Sequence, residues 1–481
     1  MTQLEPKSIF DFFQQINQVP RPSKKEEKMM AYLKGVAKQY NLEYKEDEVG
    51  NVLISCPATA GYEQSPGVIL QGHMDMVCEK DKDRDFDFET QPIETYVDGE
   101  WMKAKGTTLG ADDGIGVAMA LAAVTDKSFQ HGPIECLFTK DEESGMTGAF
   151  GLQPGFLKGK YLINLDSEDE GEFFIGCAGG ELTNATFNLK KTALEDGYVT
   201  LKIEVDKLAG GHSGDEINKR RANAIKLLVR FVYSCMKKYD LKLIEISGGN
   251  LHNAIPRFAE AVVAIPAKDK ESVRVDLNVF ASQVEQEFHV QEKNIELKLS
   301  SVELDQPKYI NADIARSIIF SLQAVHNGIL EMNQDIDGLV ETSSNLASVK
   351  QTENTVEVLV SQRSSTDSSL NNIGNTLMAT FELAGAEVTF SDRYPGWAPD
   401  PSTKLLKVSV DSYKELFGKE PVVRAIHAGL ECGLFATKYP SIEMISFGPT
   451  LREVHSPKER LLIPTVDMAW KLLIDIIGKL K

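Results

Sequence analysis

The sequence predicts an α/β protein whose first domain, built on a mostly parallel mixed sheet flanked by helices, is interrupted by an inserted α+β domain. Three observations predict it. Strand-like and helix-like segments alternate over residues 1–187, the arrangement that gives a layered structure with a largely parallel sheet. Over 188–395 the texture changes to an order close to β-α-β-β-α-β, run through twice. The α/β texture then returns over 396–481.

Ser23 followed by residues 24–40 reads as a capped amphipathic helix. The short apolar runs at 51–56, 68–71, 134–139 and 161–165 have strand length, and 115–124 has helical length and high helix propensity. In the inserted region, 199–205 alternates as a half-buried strand and a helix follows at 223–237. Strands at 241–246 and 259–265, a helix near 275–288 and a strand at 295–299 complete one pass. The second pass runs from a helix at 312–325 through Ser348 and a strand at 356–361 to a helix at 369–384 and a strand at 387–390, so two related units are expected. The Pro/Gly-rich stretch Tyr394-Pro-Gly-Trp-Ala-Pro-Asp-Pro-Ser marks a crossing between domains. A helix, a strand at 442–446 and a C-terminal amphipathic helix follow.

At 481 residues, and roughly 100–200 residues per domain, two to four domains are expected. The composition, 42% hydrophobic and 26% charged, is that of a globular protein with a sizeable core. The net charge of −19 argues against nucleic acid and against an anionic membrane surface as partners. Carboxylates clustered inward would need cations. No run of about 18 apolar residues suggests a membrane span. The N-terminal stretch lacks the apolar core of a signal peptide, and the six cysteines are scattered without a CxxC pair, so free thiols and a cytoplasmic location are expected. A homodimer is kept open.

In open parallel sheets, ligands gather beyond the carboxyl ends of the strands. The run at 68–71 leads to His73, with Asp75 two residues on; 134–139 leads to Asp141-Glu142-Glu143; and 161–165 ends in Asp166. Gly110-Ala111-Asp112-Asp113-Gly114 opens a helix, and His455 follows 445–454. Singly, each has an ordinary reading as a surface histidine, a solvated turn or a helix cap. The run 167–170 reads as solvated charge. Convergence of several strand ends on one rim shifts the balance towards a two-metal site. Zinc takes imidazole and carboxylate ligands, and a bridging carboxylate lets two ions activate one water. Asp112 is the candidate bridge, with His73 and Asp166 on one ion and Glu143 and His455 on the other. Glu142 is the candidate general base, and Asp75 the carboxylate that orients His73. His212, in Ala209-Gly-Gly-His-Ser-Gly, is the candidate donor to a tetrahedral oxyanion, against the alternative of an ordinary loop histidine.

These motifs, His73-x-Asp75, Gly110-Ala-Asp-Asp-Gly114, Asp141-Glu-Glu-Ser-Gly145, Asp166-Ser-Glu168 and His455-Ser-Pro457, resemble those of the co-catalytic zinc exopeptidases. The nearest branch is the aminoacyl-histidine dipeptidases (Xaa-His dipeptidase, peptidase D or carnosinase-like). Gly176-Cys-Ala-Gly-Gly180, Gly210-Gly-His-Ser-Gly214 and Gly429-Leu-Glu-Cys432 extend the similarity over nearly the whole chain. The resemblance implies a catalytic domain interrupted by a lid domain, with His73, Asp112, Glu143, Asp166 and His455 as metal ligands. The metals would be two divalent ions per chain, Zn2+ first, with Co2+ or Mn2+ as substitutes. It implies Asp75 and Glu142 as catalytic carboxylates and a cis Asp112–Asp113 peptide. It also implies Asn253, Arg363 and Gly429 as substrate contacts, Arg363 suiting the C-terminal carboxylate of a dipeptide. The expected activity is hydrolysis of dipeptides, Xaa-His dipeptides among them, by a metal-activated water. The alternatives are an aminoacylase on the same scaffold and a non-catalytic relative. Phosphate binding is disfavoured because no Gly-Lys-Ser/Thr follows the glycine-rich loops. Cysteine nucleophiles are disfavoured because Cys78 and Cys177 have no partner base in the sequence.

Overall fold

The structure, a computed structural model, describes residues 4–480. The chain divides into two compact units. The first holds the residues up to Cys177, Trp397–Ala425 and those from Leu430 onward; the second holds Ala178–Gly396 and Ile426–Gly429. The first crossing falls at 177/178 rather than at the expected 187/188, because Gly179–Asn188 is a strand of the second unit's sheet, paired along its length with Thr355–Ser364.

The first unit is built on an eight-stranded mixed sheet. Its order is Glu43–Glu46, Val52–Cys56, Ile134–Thr139, Val68–His73, Tyr161–Asn164, Glu443–Ser446, Glu172–Cys177, Val422–Ile426. The four central strands, from Ile134–Thr139 to Glu443–Ser446, are parallel. The flanking pairs Glu43–Glu46 with Val52–Cys56, Val52–Cys56 with Ile134–Thr139, and Glu443–Ser446 with Glu172–Cys177 are antiparallel. Every residue of Val68–His73, Ile134–Thr139 and Tyr161–Asn164 is buried. Burial on both faces is why these segments read as mostly apolar runs rather than alternating ones. The helix Ala111–Thr125 is buried on nearly all sides and packs against Lys7–Ile16, which offers Ile9, Phe10, Phe13 and Ile16. The helix expected after Ser23 runs Glu27–Gln39 and is not capped by that residue. Lys24 takes a left-handed φ of 68°, which turns the chain, and the Ser23 hydroxyl donates to Asp75 instead. A small antiparallel sheet, Leu451–Arg452, Arg460–Leu462, Trp101–Ala104 and Thr95–Asp98, completes the unit.

The second unit is a nine-stranded sheet whose two halves share one topology. The first half runs Glu296–Ser301, Tyr198–Asp206, Ala259–Pro266, Lys242–Gly249 across the sheet; the second runs Val340–Gln351, Thr355–Ser364, Gly179–Asn188, Glu387–Tyr394. Numbered by chain order within each half, these are 4-1-3-2 and its reverse, joined through the two second strands at Gly248↔Val349 and Gly249↔Ser348. The two passes through β-α-β-β-α-β are therefore two copies of one arrangement. Gly328–Met332 adds a further strand on Val340–Gln351. Ala224–Lys238 starts as expected, with the Asn223 side chain accepting from the N–H groups of Ile225 and Lys226. No described helix is long and apolar enough to cross a membrane.

Candidate active site

Six of the predicted residues meet at the carboxyl end of the central strands. His73 ends Val68–His73, and Glu142 and Glu143 open the short helix after Ile134–Thr139. Asp166 lies just past Tyr161–Asn164, Asp112 in the first turn of Ala111–Thr125, and His455 between Leu451–Arg452 and Arg460–Leu462. Asp112 stands between two histidines: its Oδ1 is 3.0 Å from His73 Nε2 and its Oδ2 is 3.0 Å from His455 Nε2. Asp166 Oδ1 lies 3.5 Å from His73 Nε2, and Glu143 Oε2 lies 3.0 Å from His455 Nε2. The ligand atoms of His73, Asp112 and Asp166 lie within 4.8 Å of one another, as do those of Asp112, Glu143 and His455 and those of His73, Glu142 and Glu143. One carboxylate thus faces a histidine–carboxylate pair on each side.

This donor set fits two divalent cations. The buried Glu143 Oε1 has no hydrogen-bond partner among the described residues, and the carboxylates outnumber the positive groups. Burial, with Asp112 adding, pushes the Asp166 carboxyl well above the usual range. Burial also pushes Glu142 up to about 8, reinforced by Glu431, Glu143 and Asp112 against the opposing effect of His73. Burial works against charge on His73, but Asp166, Asp112 and Asp75 outweigh it and hold the imidazole well above its ordinary value. Hydrogen bonds to Asp112 and Glu143 raise His455 to about 11. Asp112, which burial alone would raise, is held well below the carboxylate range by His455 and His73. Without cations, the site holds protons where ligand lone pairs belong.

Asp75 is fully buried. Its Oδ1 lies 3.3 Å from His73 Nδ1 and accepts from the Glu142 N–H at 3.0 Å. Its Oδ2 accepts from the Glu143 N–H at 3.2 Å and the Ser23 hydroxyl at 2.7 Å. One carboxylate therefore sets the ring of His73 and the turn bearing Glu142 and Glu143. Asp141 and His455 hold left-handed φ angles of 54° and 59°, a strain that persists only where surroundings enforce it. Asp141 is fixed by the hydroxyls of Ser144 and Thr147. The Asp112–Asp113 peptide is cis. Asp113 turns away from the histidines and accepts from the His73 N–H at 3.2 Å. A Cβ on Gly72 or Gly116 would lie 2.2 or 2.1 Å from the Asp113 carboxylate oxygens.

His212, Asn253, Arg363 and Gly429 all belong to the second unit. His212 pairs with Ala254 across a two-residue ladder, and the Ser213 N–H donates to the Asn253 carbonyl. His212 Nδ1 accepts from the N–H groups of Gly214 and Asp215, at 3.3 and 3.1 Å. That assigns the ring proton to Nε2. Arg363 is buried; its NH1 donates to the Tyr394 hydroxyl at 3.1 Å, and its Nε has no partner among the described residues. Gly214 makes room for both: a Cβ there would lie 3.1 Å from His212 Cε1, 3.3 Å from Arg363 NH1 and 2.2 Å from the His427 carbonyl. A Cβ on Gly429 would meet the Tyr394 ring at 2.9 Å. His427, absent from the sequence-based set, is buried with Nε2 2.7 Å from Ser343 Oγ. Burial, with the charge of Arg363, lowers it to about 3, so it is neutral.

Comparison with known proteins places this geometry in context. The sequence model of peptidase family M20/M25/M40 matches residues 69–479. The chain is 42% identical over 480 residues to the cytosol non-specific dipeptidase of Escherichia coli (strain K12), covering 100% of this chain and 99% of that protein. The crystal structure of aminoacylhistidine dipeptidase from Vibrio alginolyticus superposes with a TM-score of 0.94 at 42% identity, over 99% of this chain and 97% of that one. The crystal structure of aminopeptidase PepT from Bacillus cereus ATCC 10987 shares the fold, with a TM-score of 0.59 at 16% identity over 99% of each chain.

Proposed function

Because the chain belongs to peptidase family M20/M25/M40 and is therefore a peptide-bond hydrolase, we propose that it cleaves dipeptides at a dinuclear metal centre. The observation that carries this reading is Asp112, poised between His73 with Asp166 and His455 with Glu143. These five residues would hold the ions, Zn2+ suiting a mixed imidazole and carboxylate set and Co2+ or Mn2+ serving as substitutes. Two bound cations supply Lewis acidity and lower the pKa of the attacking water.

The protein's own groups do the rest. Glu142, half-buried beside the ligands and outside the His73–Asp112–Asp166 and Asp112–Glu143–His455 groups, accepts the proton of the attacking water and passes it to the leaving amine. Asp75 fixes the turn that aims Glu142. His212 donates its Nε2 proton to the oxyanion that forms at the scissile carbonyl. Arg363 takes the substrate's C-terminal carboxylate, and Asn253 and the Gly429 backbone line the same site. The second unit is proposed as the lid that brings these four residues into play, and the first as the catalytic domain.

The dipeptidase names of the Escherichia coli and Vibrio relatives support dipeptides as the substrate class, and the latter supports Xaa-His dipeptides. The former's name also supports a cytosolic location. The test is a panel of Xaa-His, Xaa-Gly and Xaa-Leu dipeptides, matched tripeptides and N-acetyl amino acids, assayed on zinc-reconstituted protein. Dipeptides should be cleaved fastest. Faster cleavage of N-acetyl amino acids would make the protein an aminoacylase instead.

A further inference from the structure

Leu109, Gly110, Ala111 and Asp112 point four consecutive backbone N–H groups at one carboxylate. Glu459 Oε2 accepts from Leu109 at 2.7 Å and Gly110 at 3.0 Å, and Oε1 accepts from Ala111 at 2.8 Å and Asp112 at 3.3 Å. Glu459 is 2% exposed, so water does not compete for these bonds. The two oxygens of a carboxyl group together offer enough lone pairs for four donors, which the single oxygen of an amide does not. The residue is also tied to the other half of the site. It lies four positions after His455, and its own N–H donates to the Ser456 carbonyl at 3.0 Å, closing the turn below that histidine. Arg21, 1% exposed, holds the same segment from the opposite side. Its NH2 donates to the Gly110 carbonyl at 2.5 Å, and its NH1 to the carbonyls of Met74 and Asp75 at 3.2 and 2.5 Å. Gly110, at φ +68°, and Gly114 leave the room this requires, since a Cβ on either would lie 2.6 Å from Arg21 NH2.

We propose that Glu459 is a positioning residue that sets the separation of Asp112 from His455 and so governs occupancy of the ion those two residues share, with Arg21 tying the same peptide to the His73–Asp75 strand end. Metal ligands tolerate displacements of only roughly 0.5 Å, and Glu459 joins the two ligand-bearing loops across a sequence separation that no local structure spans. The inference rests on the metal reading above.

The test uses the full-length protein with zinc alone as the probe, titrated against a chromophoric chelator. Glu459→Gln keeps the shape but replaces one acceptor oxygen with an NH2 group facing backbone donors; Glu459→Asp keeps both oxygens but is one methylene too short. In both, the first zinc equivalent should bind with close to wild-type affinity and the second should weaken by about 10–100-fold, the usual effect of removing a partner behind a ligand. The far-UV circular dichroism should be unchanged. Excess zinc should restore kcat, with KM unaltered. Equal weakening of both equivalents, or wild-type affinity for the second, would overturn the proposal. If Glu459→Gln does not fold, Glu459→Asp decides by the same criteria. Failure of the wild type itself to take up two ions would sink the metal reading, a result distinct from wild-type uptake that the variants share.

Discussion

Replacing Asp75 by Asn removes a charge without removing volume. Asp75 accepts the N–H groups of Glu142 and Glu143 and the Ser23 hydroxyl, and faces His73 Nδ1 at 3.3 Å. If the Asn oxygen takes the His73 and Glu142 side, its NH2 faces the Glu143 N–H, donor against donor. The Ser23 hydroxyl can rotate to compensate and the amide N–H cannot. One hydrogen bond to a charged group is lost, about 1.5–3 kcal/mol; at about 1.4 kcal/mol per tenfold the consequence is roughly a 10–100-fold fall in kcat/KM at saturating zinc. A second route gives a similar size. Burial pushes Asp75 up, but His73, Ser23 and the Glu142 N–H outweigh it and hold the carboxyl at about 2, against an ordinary 3.8. A depressed carboxylate stabilises the fold above its unfolded pKa, and that contribution is lost as the pH falls towards 2; at pH 7 it is about 2–3 kcal/mol. Steady-state kinetics and urea unfolding of Asp75→Asn at pH 7 read both. A variant within twofold of wild type in kcat/KM, and equal to it in stability, would refute the reasoning.

Three further outcomes are expected. Glu142→Gln should lower kcat by about 10²–10⁴-fold while zinc content stays at two per chain; loss of an ion would mean that Glu142 and Glu143 have exchanged roles. In the ion-free site Glu142 is raised to about 8 and His455 to about 11, so both are protonated at pH 7. Zinc uptake should therefore release protons, and its affinity should rise with pH across roughly 6–8; calorimetry in buffers of different ionisation enthalpy would read the release, and a buffer-independent heat would contradict it. Amidating a dipeptide's C-terminus should lower kcat/KM by roughly a hundredfold or more, because a buried Arg363 left without its carboxylate costs a few kcal/mol. Arg363→Ala should erase most of that difference, and an unchanged ratio would remove Arg363 from the carboxylate site.

The ligands were legible because each sits at the end of a local pattern. Buried parallel strands give mostly apolar runs, and His73, Glu143 and Asp166 lie at or shortly after the ends of three of them. The residues that hold those ligands left no such mark. Ser23 reaches Asp75 across 52 positions, Arg21 reaches Gly110 across 89, and Glu459 reaches Asp112 across 347. Locally, Ser23 is an ordinary helix-cap candidate and Glu459 an ordinary surface glutamate after a proline. The small antiparallel sheet leaves no sequence signal because its strands are two to four residues long, too short to show a period of two. The sequence-based boundary at 187/188 differs from the crossing at 177/178 because Gly179–Asn188 lies where the first unit's texture gives way to the second. The helix Lys7–Ile16 carries Ile9, Phe13 and Ile16 at helical spacing, so its buried face is marked in the sequence. The doubled topology of the second unit was legible, since alternation and helical spacing repeat there in the same order.

The central claim is that Asp112 joins two metal ions held by His73 with Asp166 and by Glu143 with His455. The most direct test is an anomalous-difference map from crystals of the full chain grown with zinc, recorded on both sides of the zinc absorption edge. Two peaks about 3.5–4 Å apart, one beside His73 and Asp166 and one beside Glu143 and His455, with Asp112 between them, are the predicted result. A single peak, or two peaks that Asp112 does not bridge, would contradict it.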